Sequence, residues 1–196
     1  IRDAHHGAVF RLLMADLDRR LSTVRLADQL SALADAVIEI VLELAWNSLS
    51  RKFDGDPKFA VIAYGKLGGK ELGYASDLDL IYLYDDDRMD SDMVYTRLVR
   101  RMMNWLTMQT SSGRLFEVDL RLRPNGADGL VVSSFDSWQK YERNEDGKGA
   151  WTWELQALTR ARFCAGDTSI GEKFEAERKR ILQSPRNRAE LASEVI

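Results

Sequence analysis

A chain of 196 residues, 45% hydrophobic and 30% charged, is long enough to bury a core as one large domain or as a domain with a helical appendage. Its formal net charge of −3 carries no electrostatic signature of a nucleic-acid partner. One cysteine, Cys164, and two histidines, His5 and His6, exclude an intrachain disulfide and a Cys/His zinc cluster, and lone-cysteine usage suits a reducing compartment such as the cytoplasm. No signal-peptide pattern and no apolar run of membrane-spanning length is visible, so no membrane partner is expected. A first residue other than Met and a last run of Glu194-Val195-Ile196 point to a piece of a longer chain.

In chain order, Val9, Leu13, Leu17 and Leu21 recur four apart and predict a helix over residues 6–21. A second helix is predicted over 25–49, with Leu26, Leu30, Leu33, Val37, Ile40 and Leu44 as its apolar stripe. The two are expected to pack as a pair forming a helical lead over residues 1–52. His5 and His6 read as solvent-exposed residues near a chain end. The Asp54-Gly55-Asp56-Pro57 turn separates this lead from the next element.

Phe59 to Asp85 is the stretch around which the rest is organised. Phe59 to Tyr64 is apolar on both faces, as in a central strand. A glycine-rich turn follows, Gly65-Lys66-Leu67-Gly68-Gly69, and then Ser76-Asp77-Leu78-Asp79 opens a second apolar strand. Alternation puts Asp77, Asp79, Ile81 and Leu83 on one face and Leu78, Leu80, Tyr82 and Tyr84 on the other. Two neighbouring carboxylates repel unless a cation lies between them, and hard oxygen donors suit Mg²⁺ together with substrate phosphates. The glycines let backbone N–H groups approach an anion. A phosphate cradle followed by a metal-binding acidic pair is a nucleotidyl-transfer layout. The Gly-Lys-Ser/Thr ending of a Walker A loop is missing. Lys66 can reach a phosphate, whereas Lys70 reads as a solvated loop lysine. Asp85-Asp86-Asp87 reads as a solvated charge run.

A helix is predicted over 93–110, with Val94, Leu98, Met102, Trp105 and Gln109 along one side. Arg114 to Arg123 alternates, with Phe116, Val118, Leu120 and Leu122 on one face and Glu117, Asp119, Arg121 and Arg123 on the other. As a neighbour of the acidic strand, it would bring Asp119 beside Asp77 and Asp79, enough carboxylates for two ions. Arg121 and Arg123 would then neutralise phosphate or hold the carboxylates in place. An amphipathic strand with a solvated face and simple Arg–carboxylate pairing has the same pattern. Further helices are predicted over 133–143, 151–165 and 169–183, with a loop at 144–149. Trp151 and Trp153 read as core residues, with adenine stacking as the alternative. Cys164 reads as structural. The resulting fold class is α/β (α+β), a mixed sheet core over 53–145 with flanking helices and a helical extension over 146–196.

With both acidic strands in view, the chain resembles the glutamine synthetase adenylyltransferase family. The matching runs are Tyr64-Gly65-Lys66-Leu67-Gly68-Gly69-x-Glu71-Leu72, Ser76-Asp77-Leu78-Asp79-Leu80, Val118-Asp119-Leu120-Arg121-Leu122-Arg123-Pro124, and Trp151-Thr152-Trp153-Glu154 through Ala161-Arg162. The resemblance implies a nucleotidyltransferase core using Mg²⁺, with two ions at Asp77, Asp79 and Asp119. It implies nucleotide binding by Gly65, Lys66, Gly68, Gly69, Ser76, Arg121 and Arg123. Its implied partners are ATP, glutamine synthetase as protein substrate, and the PII signalling protein and glutamine as effectors of the whole enzyme, in the bacterial cytoplasm. Such enzymes are similar to tandem duplications, one half removing AMP by phosphorolysis and the other attaching it to a tyrosine. Thr110-Ser111-Ser112-Gly113, Glu117-Val118-Asp119 and Ala150-Trp151-Thr152-Trp153-Glu154 resemble the C-terminal, transferring half. The removing half and a docking module without catalysis are the alternatives. The chain has Gly65-Lys66 where the wider superfamily has Gly-Ser, Leu155 where the family commonly has His, and an insertion at Asp146-Gly147-Lys148-Gly149.

Overall fold

A computed structural model describes residues 1–120, 129–143 and 152–184. Two helices lead, α1 (Arg2–Leu17) and α2 (Thr23–Asn47), the second capped by Ser22, whose hydroxyl accepts from the Arg25 N–H. Strand β1 (Phe59–Ala63), a single helical turn α3 (Gly65–Gly68) and strand β2 (Leu78–Tyr84) follow. Helix α4 (Ser91–Thr107) returns along the sheet to the short strand β3 (Val118–Asp119). The remaining elements are β4 (Ser133–Ser134), α5 (Phe135–Glu142), α6 (Thr152–Leu158), β5 (Arg162–Gly166) and α7 (Thr168–Gln183). No described helix is long and apolar enough to cross a membrane.

The sheet among the described residues is mixed and five-stranded, in the order β3-β2-β1-β5, with β4 also on β2. β1 lies between antiparallel neighbours, with Phe59 opposite Tyr84 and Ala63 opposite Leu80 on one side and Ala60 opposite Gly166 on the other. β3 and β4 share one edge of β2, both parallel to it, β3 at its start and β4 at its end. This is the expected α/β core, and β1 is buried along its whole length, as its unbroken apolar run requires.

The two faces of β1 and β2 feed two cores. Phe59, Val61, Leu78, Leu80 and Tyr82 pack beneath α2 and α4. Ala60, Ile62, Ile81 and Leu83 pack with Trp138 of α5 and Ile170, Phe174 and Ile181 of α7. Each fully buried Leu, Ile or Phe contributes about 1.5–3 kcal/mol. The alternation in β2 therefore leaves Asp79 on the Ile81–Leu83 face, at the strand's open end.

Several sequence expectations shift. α2 lays its buried side on the sheet and α4 through Ala34, Ile38, Val41, Leu42 and Ala45, while Ile40 and Leu44 of the expected stripe are exposed. Small and β-branched residues let the helix approach the sheet closely, which a count of leucines does not reveal. In α4, Leu106 takes the buried position expected of Trp105, and Gln109 lies beyond the helix end. The helix expected over 151–165 stops at Leu158, and its second half is strand β5, pairing with β1. Burial by neighbouring strands overrode a pattern that has no clear period of its own. Among the described residues of the long amphipathic strand expected over Arg114–Arg123, Val118–Asp119 alone is regular, and 121–123 lie outside the described residues. The loop at 144–149, with its insertion, lies outside the described residues, as does Trp151.

Asp86 is buried rather than solvated. Its carboxylate accepts from Arg88 Nε at 2.8 Å and from Tyr95 Oη at 2.7 Å. Tyr95 also accepts from the Lys58 N–H at 3.1 Å and stacks between Phe59 and Tyr84 at ring-centre distances of 5.8 and 5.0 Å. The Arg88 guanidinium holds the Asp86 carboxyl down at about 2, against an ordinary 3.8. A depressed carboxyl gives stability above its ordinary range, lost as the proton is taken up. Stability measured by urea unfolding should thus fall as pH drops from 3.8 through about 2. In Asp86→Asn, about 2 kcal/mol should be missing at neutral pH, the scale of hydrogen bonds to a charged group, and this acid-side slope should flatten.

Candidate active site

The site begins where β1 ends. Tyr64 extends the pairing by one bond, its N–H donating to the Asp79 carbonyl at 2.8 Å. The chain then turns at Gly65, whose φ of +52° lies in the left-handed region. A Cβ placed there would sit 2.0 Å from Asp79 Oδ2. The missing side chain is the space the Asp79 carboxylate fills. α3 starts at this glycine, and the leading N–H groups of a helix lack intrahelical carbonyls.

Gly68 does different work from Gly65. It is buried, and a Cβ on it would lie 2.3 Å from the Arg160 carbonyl and 2.6 Å from the Ala63 carbonyl. It lets α3 press onto backbone, away from the mouth of the site. Lys66 is exposed at the turn. Lys70 is exposed too, at a φ of +56° that closes the turn after α3. Gly69 donates to the Gly65 carbonyl at 3.0 Å. Ser76 ties its own turn, its hydroxyl accepting from the Gly73 N–H at 3.0 Å.

The second carboxylate arrives on β3. The Leu78 N–H donates to the Glu117 carbonyl at 2.9 Å, and the parallel register pairs Leu78 with Val118 and Asp79 with Asp119. Directly paired residues on neighbouring strands point to the same side, with the strands about 4.8 Å apart. Asp79 and Asp119 are thus brought together from two strands 40 positions apart in the chain. Asp77 is half-buried just before β2. Among the described residues, no three His, Cys, Asp or Glu side chains gather as one metal-binding group. Arg121 and Arg123 lie outside the described residues.

The donor chemistry fits Mg²⁺, which takes one or two carboxylates and completes its shell with substrate phosphates and water. Asp79 and Asp119 supply such a pair next to the Gly65 bend. Ser76 and Glu117, the residues just before Asp77 and Val118, border a cavity of about 400 Å³ also lined by His6 and Tyr74. That volume is within the range of ligand pockets.

Two supports of this site went unread in the sequence. The first is the histidine pair of α1. His5 is buried, not solvent-exposed, and packs edge-on against Phe116 at 4.8 Å, with burial lowering its pKa. His6 Nε2 lies 3.0 Å from the Arg114 carbonyl. Together they hold the segment that delivers Asp119, and the Phe116 N–H donates to the α4 carbonyl of Leu106. The second support is Arg162 of β5, which donates to Asp35 Oδ1 of α2 at 2.9 Å and to the Leu67 carbonyl of α3 at 3.1 Å. Its place within a family-like run was the available signal. Cys164 is structural as expected: its thiol lies 3.1 Å from Asp35 Oδ1, and burial raises its pKa.

A mixed sheet flanked by helices, a glycine bend at the end of β1, and acidic residues on β2 and on β3 beside it together define a nucleotidyltransferase-type α/β protein. The family model for glutamate-ammonia ligase adenylyltransferase matches residues 1–177, and the chain belongs to that family. It is 54% identical over 196 residues to a bifunctional glutamine synthetase adenylyltransferase/adenylyl-removing enzyme from Aromatoleum aromaticum, covering 100% of this chain and 20% of that protein. The like-named proteins of Ralstonia nicotianae and Burkholderia mallei are 51% and 52% identical, again over 100% of this chain and 20% and 21% of theirs. The chain thus spans about one fifth of the length of these curated relatives.

The two glycines should separate by experiment. Gly68→Ala drives a methyl into two backbone carbonyls and should cost about 3 kcal/mol in urea unfolding. Gly65→Ala meets the movable end of a side chain, so its cost should be about 1–2 kcal/mol, from the left-handed backbone.

Proposed function

We propose that this domain transfers AMP from ATP to a tyrosine hydroxyl of glutamine synthetase. The observation that carries the proposal is the register that sets Asp79 beside Asp119, next to the Gly65 bend. The relatives' names supply the protein substrate, and the match to Thr110-Ser111-Ser112-Gly113 and Glu117-Val118-Asp119 favours the transferring half over the AMP-removing one. Those residues shape the approach to β3, with Thr110 and Gly113 closing a bridge. ATP as donor, the cytoplasm as compartment, and PII and glutamine as effectors of the whole enzyme follow from the same family reading.

In the reaction, the tyrosine oxygen attacks the α-phosphorus, a new P–O bond forms, and the bond to pyrophosphate breaks. The N–H groups of the Gly65 bend and the exposed Lys66 hold the phosphates and balance the charge that leaves on pyrophosphate. Asp77, Asp79 and Asp119 would hold Mg²⁺, as two ions with ATP, which would supply electrostatic stabilisation of the phosphoryl oxygens. Asp119 lies on the edge strand, where it can direct the phenolic proton. A tyrosine has an unperturbed pKa of about 10 and needs help to ionise at neutral pH. Ser76, Gly68 and Gly69 keep the two turns that flank the nucleotide. Arg121 and Arg123 follow Asp119 in the chain, and the family resemblance assigns them to the phosphates.

The test is incubation of the protein with α-labelled ATP, Mg²⁺ and unmodified glutamine synthetase. Label should pass to the synthetase, and Asp79→Asn should slow this at least 100-fold while leaving the urea midpoint nearly unchanged. Gly65→Ala should slow transfer by about 100-fold, since displacing a reacting group by about 1 Å costs that much. Release of ADP from adenylylated synthetase and phosphate, with no transfer from ATP, would instead assign the removing activity. Binding of ATP without either product would reduce the domain to a docking module.

A further inference from the structure

Away from the carboxylate pair, the outer side of α4 meets the chain that leaves α2. There, Arg51, Arg97, Arg100 and Arg101 line a groove of about 390 Å³ with Ser50 and Asn104. None of these four arginines makes an ion pair among the described residues. Arg101 donates to the Ser48 hydroxyl at 2.9 Å, and Arg97 lies against the Met93 sulfur at 2.7 Å. Other arginines of the molecule are spent on carboxylates: Arg88 on Asp86, Arg143 on Glu177 and Arg162 on Asp35. Four unspent guanidinium groups in one groove, on a chain whose net charge is −3, form a local positive field against the overall sign.

The groove does not stop at its arginines. Arg51 and Arg97 also line a second recess of about 460 Å³, together with Lys52, Phe53, Met89 and Met93, with Asp90 as its one carboxylate. Met89 is 87% exposed and Met93 46%. Arginine, methionine and aromatic residues are the types enriched where proteins meet proteins. A compact phosphate ligand suits this surface less. α2 ends at Asn47 with Ser48 as its cap, so the negative end of a helix dipole lies beside the groove, and the cationic groups sit on long side chains rather than on a nest of backbone N–H groups.

We propose that this double groove docks an acidic surface of the protein that receives AMP. The inference rests on the reading under Proposed function that the acceptor is a protein, and it adds where that protein is held. Carboxylates of the partner would pair with Arg97, Arg100 and Arg101, each guanidinium able to bind one in two-pronged fashion. An apolar side chain would cover Met89 and Met93. The groove lies apart from the catalytic carboxylates. α4 begins after the end of β2 remote from Asp79 and runs back toward β3, so docking on its middle leaves the acceptor tyrosine free to reach the site.

The test uses Arg97→Glu combined with Arg100→Glu, and Arg97→Gln combined with Arg100→Gln as a milder pair should the first fold poorly. Affinity for unmodified glutamine synthetase is measured directly by surface binding, and KM and kcat are measured for AMP transfer. Charge reversal should weaken binding and raise KM for the synthetase at least tenfold. It should leave kcat and KM for ATP unchanged, and remove most of the salt dependence of binding. Direct binding keeps the two proposals apart: lost affinity in the variants with no transfer by the unaltered protein would retain the docking site and reject the transferase reading. Unchanged affinity in both pairs would overturn the docking site. So would a loss of inorganic tripolyphosphate binding with synthetase binding intact, which would make the groove a small-anion site. A drop in thermal stability with synthetase affinity intact would assign it to a contact within the polypeptide, and would equally overturn it.

Discussion

The structure turns on the contact between a missing side chain and a present one. Gly65 bends the chain at a φ of +52°, and Asp79 Oδ2 fills the space where a Cβ would stand. Antiparallel pairing of β1 with β2 makes this contact inevitable, because the strand that ends at Ala63 lies opposite the strand that begins at Leu78. Any residue with a Cβ would have to turn the carboxylate away from the bend. The same glycine therefore serves backbone conformation and the placing of a charge, and the two demands cannot be met separately by another residue type.

The rest of the molecule holds the two sides of that contact still. On one side, Arg162 ties β5 to α2 and α3, so the turn after Gly65 is held from both the sheet and the helical lead. On the other, His5 and His6 clamp the approach to β3 against α1, and parallel pairing does the final alignment of Asp119. β3 is a strand of two residues, too short to set its own register by hydrogen bonds alone. Its position is fixed by side-chain packing outside the sheet, which explains why residues from the first helix matter to a site more than a hundred positions later.

How far the chain reveals this beforehand depends on the kind of signal. The alternation of Leu78, Leu80 and Tyr82 against Ile81 and Leu83 is a local period, and both faces appear in the cores as read. The glycine bend and the Asp-x-Asp pair are local as well, and they suggest a nucleotidyl-transfer layout, while the proposed acceptor and direction rest on the family runs alone. β5 was hidden because Arg162-Phe163-Cys164-Ala165-Gly166 has no alternation: its pairing with β1 breaks register between Val61 and Ile62. The middle aspartate of Asp85-Asp86-Asp87 looked solvated because charge runs usually are. It is buried because Arg88 and Tyr95 satisfy it, and Tyr95 comes from a different element. His5 was misread for the same reason: its partner, Phe116, is more than a hundred residues away.

α4 links these observations. Its inner side, Val94, Leu98, Val99 and Met102, belongs to the core beneath β1 and β2. Its first turn lies near the Asp86–Arg88–Tyr95 cluster, and Tyr95 itself is one of its residues. Its last turn offers the Leu106 carbonyl to Phe116, two residues before β3. Only the outer side remains for anything outside the domain, and there Arg97, Arg100 and Arg101 stand, with Arg51 lining the same groove from the segment after α2. A partner seated there would meet α4 on the side that neither the core nor the Leu106–Phe116 contact uses, so acceptor docking and the alignment of Asp119 draw on different sides of one helix.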